Sequence, residues 1–174
     1  MDLYNKTSYK ISKVVTKSYS TSFSLGIAAF SPQYRDAIYG IYGFVRIADE
    51  IVDTFQGYNQ KQLMENFRKE TEDALNTGIS TNPILQAFIH TVKEYKIDYH
   101  YIDAFLKSME MDLTNSYYEP QQYNEYIYGS AEVVGLMCLQ IFAGNNEKLF
   151  NDLVAPARSL GSAFQKVNFL RDIK

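Results

Sequence analysis

The chain has 174 residues, 46% of them hydrophobic, with a formal net charge of −3 and a pI near 5.4. That composition excludes disorder and suffices for one buried core, while the acidic balance and the lack of any dense Lys/Arg tract exclude a general nucleic-acid surface. A single cysteine, Cys138, excludes an intrachain disulfide and fits a reducing cytoplasm.

The start MDLYNKTSYK lacks the apolar core of a signal peptide. The longest apolar run, VVGLMCLQIFA, is short for a bilayer and contains Gln140. A soluble cytoplasmic protein is expected, peripheral at most on the inner face of the membrane. Fifteen Tyr and eleven Phe with no Trp suit core filling, and equally the lining of a hydrophobic ligand cavity.

Every segment reads helical, and no run of alternating β-branched residues lies between hairpin turns. A first helix is expected from Tyr4 to Tyr19, and the polar Ser20-Thr21-Ser22 separates it from a short element begun by Phe23 and Leu25. Ser31 and Pro32 supply an N-cap and an N1 proline for a long helix to Phe55. A turn at Gly57 to Asn59 leads to a polar outer helix, Lys61 to Asn76, stopped near Gly78. Asn82-Pro83 opens a helix through Tyr95, and Asp98 caps the next, which holds Met109 to Asp112 and ends before Pro120. A long apolar helix runs from about Gln122 to Ala143, broken by Gly144-Asn145-Asn146. The last helix is expected from about Pro156 into the terminus, and no stop signal precedes Lys174. The expectation is an all-α single domain over residues 1–174, incomplete at its C-terminus.

Two polar stripes carry the chemistry. In the first long helix Arg46, Asp49, Glu50 and Asp53 fall at i, i+3, i+4 and i+7, with Tyr42 one turn earlier on the same line. The other faces are apolar, so the helix should be buried and the stripe should face a wet internal cavity. Asp49 and Asp53 would hold carboxylates about 6 Å apart, repelling by roughly 3 kcal/mol at an effective dielectric near 20. A cation would relieve that repulsion, and so would a structural ion pair with Arg46. The second stripe lies at the terminus: Ser162, Gln165, Asn168 and Asp172 fall close to one helix face, with Arg171 beside them. A buried amide network explains that pattern as well as a ligand site does. Taken together, two walls of acids and amides offer hard oxygen ligands of the kind that suits Mg²⁺.

Other chemistries lack their residues. Neither His90 nor His100 has a Glu three positions earlier, so a ferritin-like di-iron site is unsupported. There is no Walker loop, no GxGxxG and no serine elbow, and Cys138 sits in an apolar stretch unsuited to a thiolate. Gly129, Ser130, Ala131 and Gly135 allow close helix packing, or leave room for a long hydrocarbon chain.

The strings YSTSFS, FVRIADEIVD, MEMDL, GSAEVVGLM and LGSAFQKVNFLRD resemble the squalene/phytoene synthase family along nearly the whole chain and in the same order. The resemblance is strongest to bacterial phytoene synthases. It implies an isoprenoid synthase helical bundle around a central cavity, cut inside the second aspartate motif. It further implies Mg²⁺-dependent head-to-head joining of two prenyl diphosphates through a cyclopropylcarbinyl diphosphate. Carried over by motif, Asp49, Asp53, Asn168 and Asp172 would hold Mg²⁺, with Arg46 and Arg171 on diphosphate oxygens. Tyr42, Tyr126 and Gln165 would border the reacting carbons. Ser22 would contact diphosphate, and Phe23, Val133, Val134 and Met137 would bind the hydrocarbon. Glu132 departs from the pattern, since relatives carry a small residue there and an acid would sit near the cavity wall.

Two geranylgeranyl diphosphates giving phytoene is the first reading of the resemblance, which also places the chain in carotenoid synthesis. A squalene or dehydrosqualene synthase using C15 farnesyl diphosphate is the second. A non-catalytic helical interaction protein of the same fold is the third. Because the family's second aspartate motif continues beyond Asp172, weak or no turnover is expected of these 174 residues alone.

Overall fold

The computed structural model describes residues 1–114 and 119–172, the side chains of 171 and 172 excepted. All described secondary structure is helical, as the periodicity predicts. The chain divides into two compact units, residues 1–96 and 97–174.

The first unit contains α1 (Asp2–Tyr19), α2 (Thr21–Ala29), α3 (Pro32–Asp53), α4 (Gln60–Thr77) and α5 (Pro83–Tyr95). Local chemistry explains the boundaries. The Ser20 hydroxyl accepts from the Phe23 amide and caps α2; Asn59 and Asn82 cap α4 and α5 in the same way. Pro32 and Pro83 occupy first-turn positions where a missing N–H removes nothing. The break between the first two helices is a single residue, Ser20, shorter than the three-residue break expected, because its side chain replaces the lost backbone bond.

Helix α1 packs on α3 and α5, and α3 packs on α4 and α5. A column of small hydroxyl residues, Ser8, Ser12 and Thr16, is fully buried along α1. It meets Gly43 of α3, where an added Cβ would come within 2.9 Å of the Ser12 Oγ. The glycine spacing in IYGIYGF is therefore a helix-crossing device. Behind it Phe44 stacks on Phe88 with ring centroids 3.8 Å apart, and on Phe67 at 5.4 Å.

The second unit contains α6 (Tyr99–Asp112), α7 (Pro120–Ile127), α8 (Val133–Ala143) and α9 (Glu147–Asp172). Between α7 and α8 the helix continues through a π turn, Tyr128–Glu132, which the periodicity did not predict. The apolar helix expected here is thus present but carries one wide turn. Gly129 in that turn packs so closely that an added Cβ would collide with the Ala104 carbonyl of α6.

Helix α9 begins nine residues before the expected start at Pro156. The Asn146 side chain accepts from the Leu149 amide at 3.0 Å and caps it there, leaving Pro156 inside the helix. A proline in a helix interior costs about 3 kcal/mol. The packing of α9 along α8 and the π turn supplies the opposing contacts.

Among the described residues one helix, Pro120–Ala143, is long and apolar enough to cross a membrane by length and composition. Half of its most apolar window is buried within the fold, as in the core helix of a packed bundle.

Candidate functional site

The charged residues of the α3 stripe, expected together on one internal cavity, meet different environments instead. Ala48 and Ile51 are buried on the packed side, Asp49 and Arg46 are half-buried, and Asp53 is exposed at the helix end. Glu50 is the buried acid, 9% exposed. It accepts from an Arg46 terminal nitrogen at 2.5 Å, an i, i+4 ion pair along the helix. Spacing sets Arg46 against Asp49, Asp53 or a diphosphate; in the structure its partner is Glu50.

Arg46 also lies over the Tyr19 ring, 4.4 Å from its centroid. Its Nε is buried and has no hydrogen-bond partner. Burial opposes its charge, but the Glu50 hydrogen bond and the nearby Asp49 and Glu50 charges more than offset this, so its pKa moves up. The Arg46 bond holds Glu50 below the usual glutamate range, against the opposing effect of burial. Arg46 is thus a fixed cation whose guanidinium is only partly satisfied by the protein.

Tyr42 lies one turn before Arg46 and is half-buried, with Phe23 of α2 against it at 5.0 Å between centroids. Burial raises its hydroxyl pKa, and the Arg46 charge and the nearby Ser20 side chain work against that. Ser20 therefore sits beside the stripe, whereas Ser22, singled out in the sequence, is exposed on α2. The serine-rich YSTSFS string gave no means of choosing between them, because only the cap geometry distinguishes the two.

In the second unit Tyr126 is 7% exposed and donates to an Asp112 carboxylate oxygen at 2.8 Å. The Phe169 ring lies 5.8 Å from it. Asp112 lies in the MEMDL string, whose spacing assigns it no partner; the bond to Tyr126 does. Val133 and Met137 are fully buried in this unit, and Val134 is half-buried. On α9 Gln165 is half-buried and Asn168 exposed, with the Asn168 amide directed at the Gln165 carbonyl oxygen at 3.5 Å. The side chains of Arg171 and Asp172 lie outside the described residues. Glu132 does not stand alone as an acid: it takes an Arg158 hydrogen bond at 2.6 Å from α9. Arg158 also lies over the Tyr128 ring at 5.2 Å. Burial pushes the Cys138 thiol up to about 12, so it is chemically quiet at neutral pH.

The donor set on α3 fits Mg²⁺. Among the described residues no three His, Cys, Asp or Glu side chains gather into a cluster, so an all-protein cage is not formed there. Two carboxylates one helical turn apart are what Mg²⁺ takes when water and phosphate oxygens complete its shell. The Arg46 Nε, near Asp49, is buried and unpartnered, a donor of the kind an anion satisfies and a metal does not.

Comparison with known proteins agrees in sequence and in fold. The family model described as squalene/phytoene synthase matches residues 16–174. Phytoene synthase 1, chloroplastic, from Solanum lycopersicum is 30% identical over 91% of this chain and 39% of its own length. The 4,4'-diapophytoene synthase of Staphylococcus haemolyticus is 26% identical over 95% of this chain and 58% of its own. The chain thus spans between about two fifths and three fifths of the length of these relatives. A crystal structure of a dehydrosqualene synthase in complex with ligand superposes with a TM-score of 0.84 over 97% of this chain and 58% of that one, at 23% identity.

Proposed function

This chain belongs to the squalene/phytoene synthase family, and on that premise we propose that it serves Mg²⁺-dependent head-to-head condensation of two geranylgeranyl diphosphates to phytoene. The observation that carries the reading is the α3 stripe, an arginine with an orphaned buried Nε beside two carboxylates on an otherwise packed helix.

Each residue has a physical task. Asp49 and Asp53 would hold Mg²⁺, with Asn168 and Asp172 proposed to do the same from α9. When bound, the metal neutralises charge that builds on the departing diphosphate. Arg46 donates to diphosphate oxygens from a position fixed by Glu50 and Tyr19, so no reorganisation is needed as that charge develops. Arg171 is proposed to share this task. The ring faces of Tyr42 and Phe23 would stabilise an allylic cation without offering a strong nucleophile, and the family resemblance proposes Tyr126 and Gln165 for the reacting carbons. Val134, half-buried, would offer apolar surface to the prenyl chain, whereas Val133 and Met137 are fully buried and expose none; Ser22 would offer a hydroxyl to the diphosphate. Exclusion of water keeps the cation from being quenched.

A C15 substrate is the second reading, favoured by the diapophytoene synthase relative and by the dehydrosqualene synthase fold. Incubating the protein with Mg²⁺ and either C15 or C20 diphosphate, then weighing the hydrocarbon, separates the two. A C40 product supports the first reading. A C30 product alone replaces it with the second. The absence of both product and Mg²⁺-dependent diphosphate binding supports a non-catalytic member of the fold.

A further inference from the structure

A cavity of about 390 Å³ lies within the first unit, between α1, α2 and the start of α3. Lys13, Lys17 and Arg35 line it, together with Ser24, Leu25 and Tyr39, and no acid does. The Lys13 ammonium lies over the Tyr39 ring at 5.5 Å. Arg35 donates its Nε to the Phe30 carbonyl at 2.8 Å, which fixes the guanidinium at the end of α2. The Ser24 hydroxyl in the same wall is buried and has no hydrogen-bond partner. Residues 1–40 hold five Lys/Arg against two Asp, although the whole chain is acidic.

The helix beside this cavity is apolar yet uncovered. Of the nine residues of α2 only Ile27 is buried. Leu25 is 68% exposed and Phe30, at the C-terminal end of α2, 38%; Val14, next in sequence to Lys13 on α1, is 63% exposed. Scattered exposed apolar residues need no explanation, but a helix with this composition and exposure does. A protein segment covering it would have to bring acids for three cations as well as apolar surface. A bilayer rich in anionic lipid supplies phosphate and hydrocarbon together.

We propose that this cavity seats the phosphate headgroup of an anionic lipid, and that α2 is the face by which the protein docks on a membrane. The cations and the Ser24 hydroxyl take the phosphate, and Leu25, Val14 and Phe30 enter the headgroup boundary. The same short helix sets Phe23 against Tyr42 of the candidate site, so docking and hydrocarbon chemistry share one element. The proposal stands apart from the synthase reading, since its test measures no turnover.

Co-sedimentation with vesicles tests it. The protein should bind phosphatidylglycerol/phosphatidylcholine vesicles, bind pure phosphatidylcholine far less, and release with added salt. The Lys13→Gln/Lys17→Gln variant changes two exposed residues, and should bind about 30-fold more weakly, roughly five-fold per cation. The exposed Leu25→Asp should weaken binding further, and both variants should melt as the parent does. Unchanged binding by the double variant, or no vesicle binding at all, overturns the proposal. So does saturable binding of inorganic diphosphate to the cavity that vesicles do not displace, which makes it a soluble-anion site.

Discussion

At the scale of single residues, the Arg46–Glu50 pair decides how the α3 stripe behaves. Both side chains are largely shielded, at 23% and 12% exposure, so solvent screens the pair less than a surface one. Glu50→Gln removes a charge-assisted bond and should destabilise the protein by about 1.5–3 kcal/mol at neutral pH. Because the folded-state pKa of Glu50 is lowered, its contribution is fully present above the ordinary glutamate range. It is lost as pH falls through the lowered value. Denaturant melts of parent and variant should therefore differ by a constant amount near neutrality and converge in acid. A gap that persists in strong acid would mean that packing, not charge, is what Glu50 supplies. In the second unit, Tyr126→Phe should cost about 1.5–3 kcal/mol, since it removes the donor to a half-buried carboxylate. Asp112→Asn should cost less, because an amide oxygen still accepts. Thermal melts rank the two, and the reverse order would contradict the assigned bond.

At the scale of elements, the glycines show where sequence reading succeeded and where it stopped. Gly129→Ala forces a methyl into the Ala104 carbonyl and should destabilise by about 1–3 kcal/mol. Gly26 of α2 has open space around its would-be Cβ, so Gly26→Ala should be neutral or stabilise by up to about 1 kcal/mol. Equal effects in chemical denaturation would refute the close approach at the π turn. Helix existence was legible where caps are explicit: Asn82 and Asp98 each bond the amide that their position predicts, whereas Ser31 holds the cap position of α3 without a side-chain bond. The π turn was not, because a wide turn leaves the apolar pattern of VVGLMCLQIFA intact while rotating what precedes it. Nor was the start of α9, where Asn146 caps a helix that then runs through Pro156. Packing against α8 and the π turn outweighs the local preference, and a single sequence does not display packing.

At the scale of the whole molecule, the family is carried by long ordered strings, and most of the chain matches it. The site was legible as residue types on a stripe, namely Arg46, Asp49 and Asp53 at helical spacing. It was not legible as partnerships. Glu50 claims Arg46, Ser20 rather than Ser22 sits beside Tyr42, and Arg158 takes Glu132. Each of those pairings depends on rotamers and burial that spacing alone leaves open. The candidate site keeps the acids Asp49 and Asp53 on the α3 stripe and an Arg46 Nε that has no hydrogen-bond partner.

The most direct measurement is calorimetric titration of Mg²⁺ into the protein in the presence of inorganic diphosphate, for the parent and for Asp49→Asn/Asp53→Asn. Mg²⁺ binding that requires diphosphate, and that falls at least ten-fold in the double variant without loss of helicity, is the predicted result. Equal binding by parent and variant, or no diphosphate-dependent binding by the parent, would contradict the assignment of the α3 acids to metal and diphosphate.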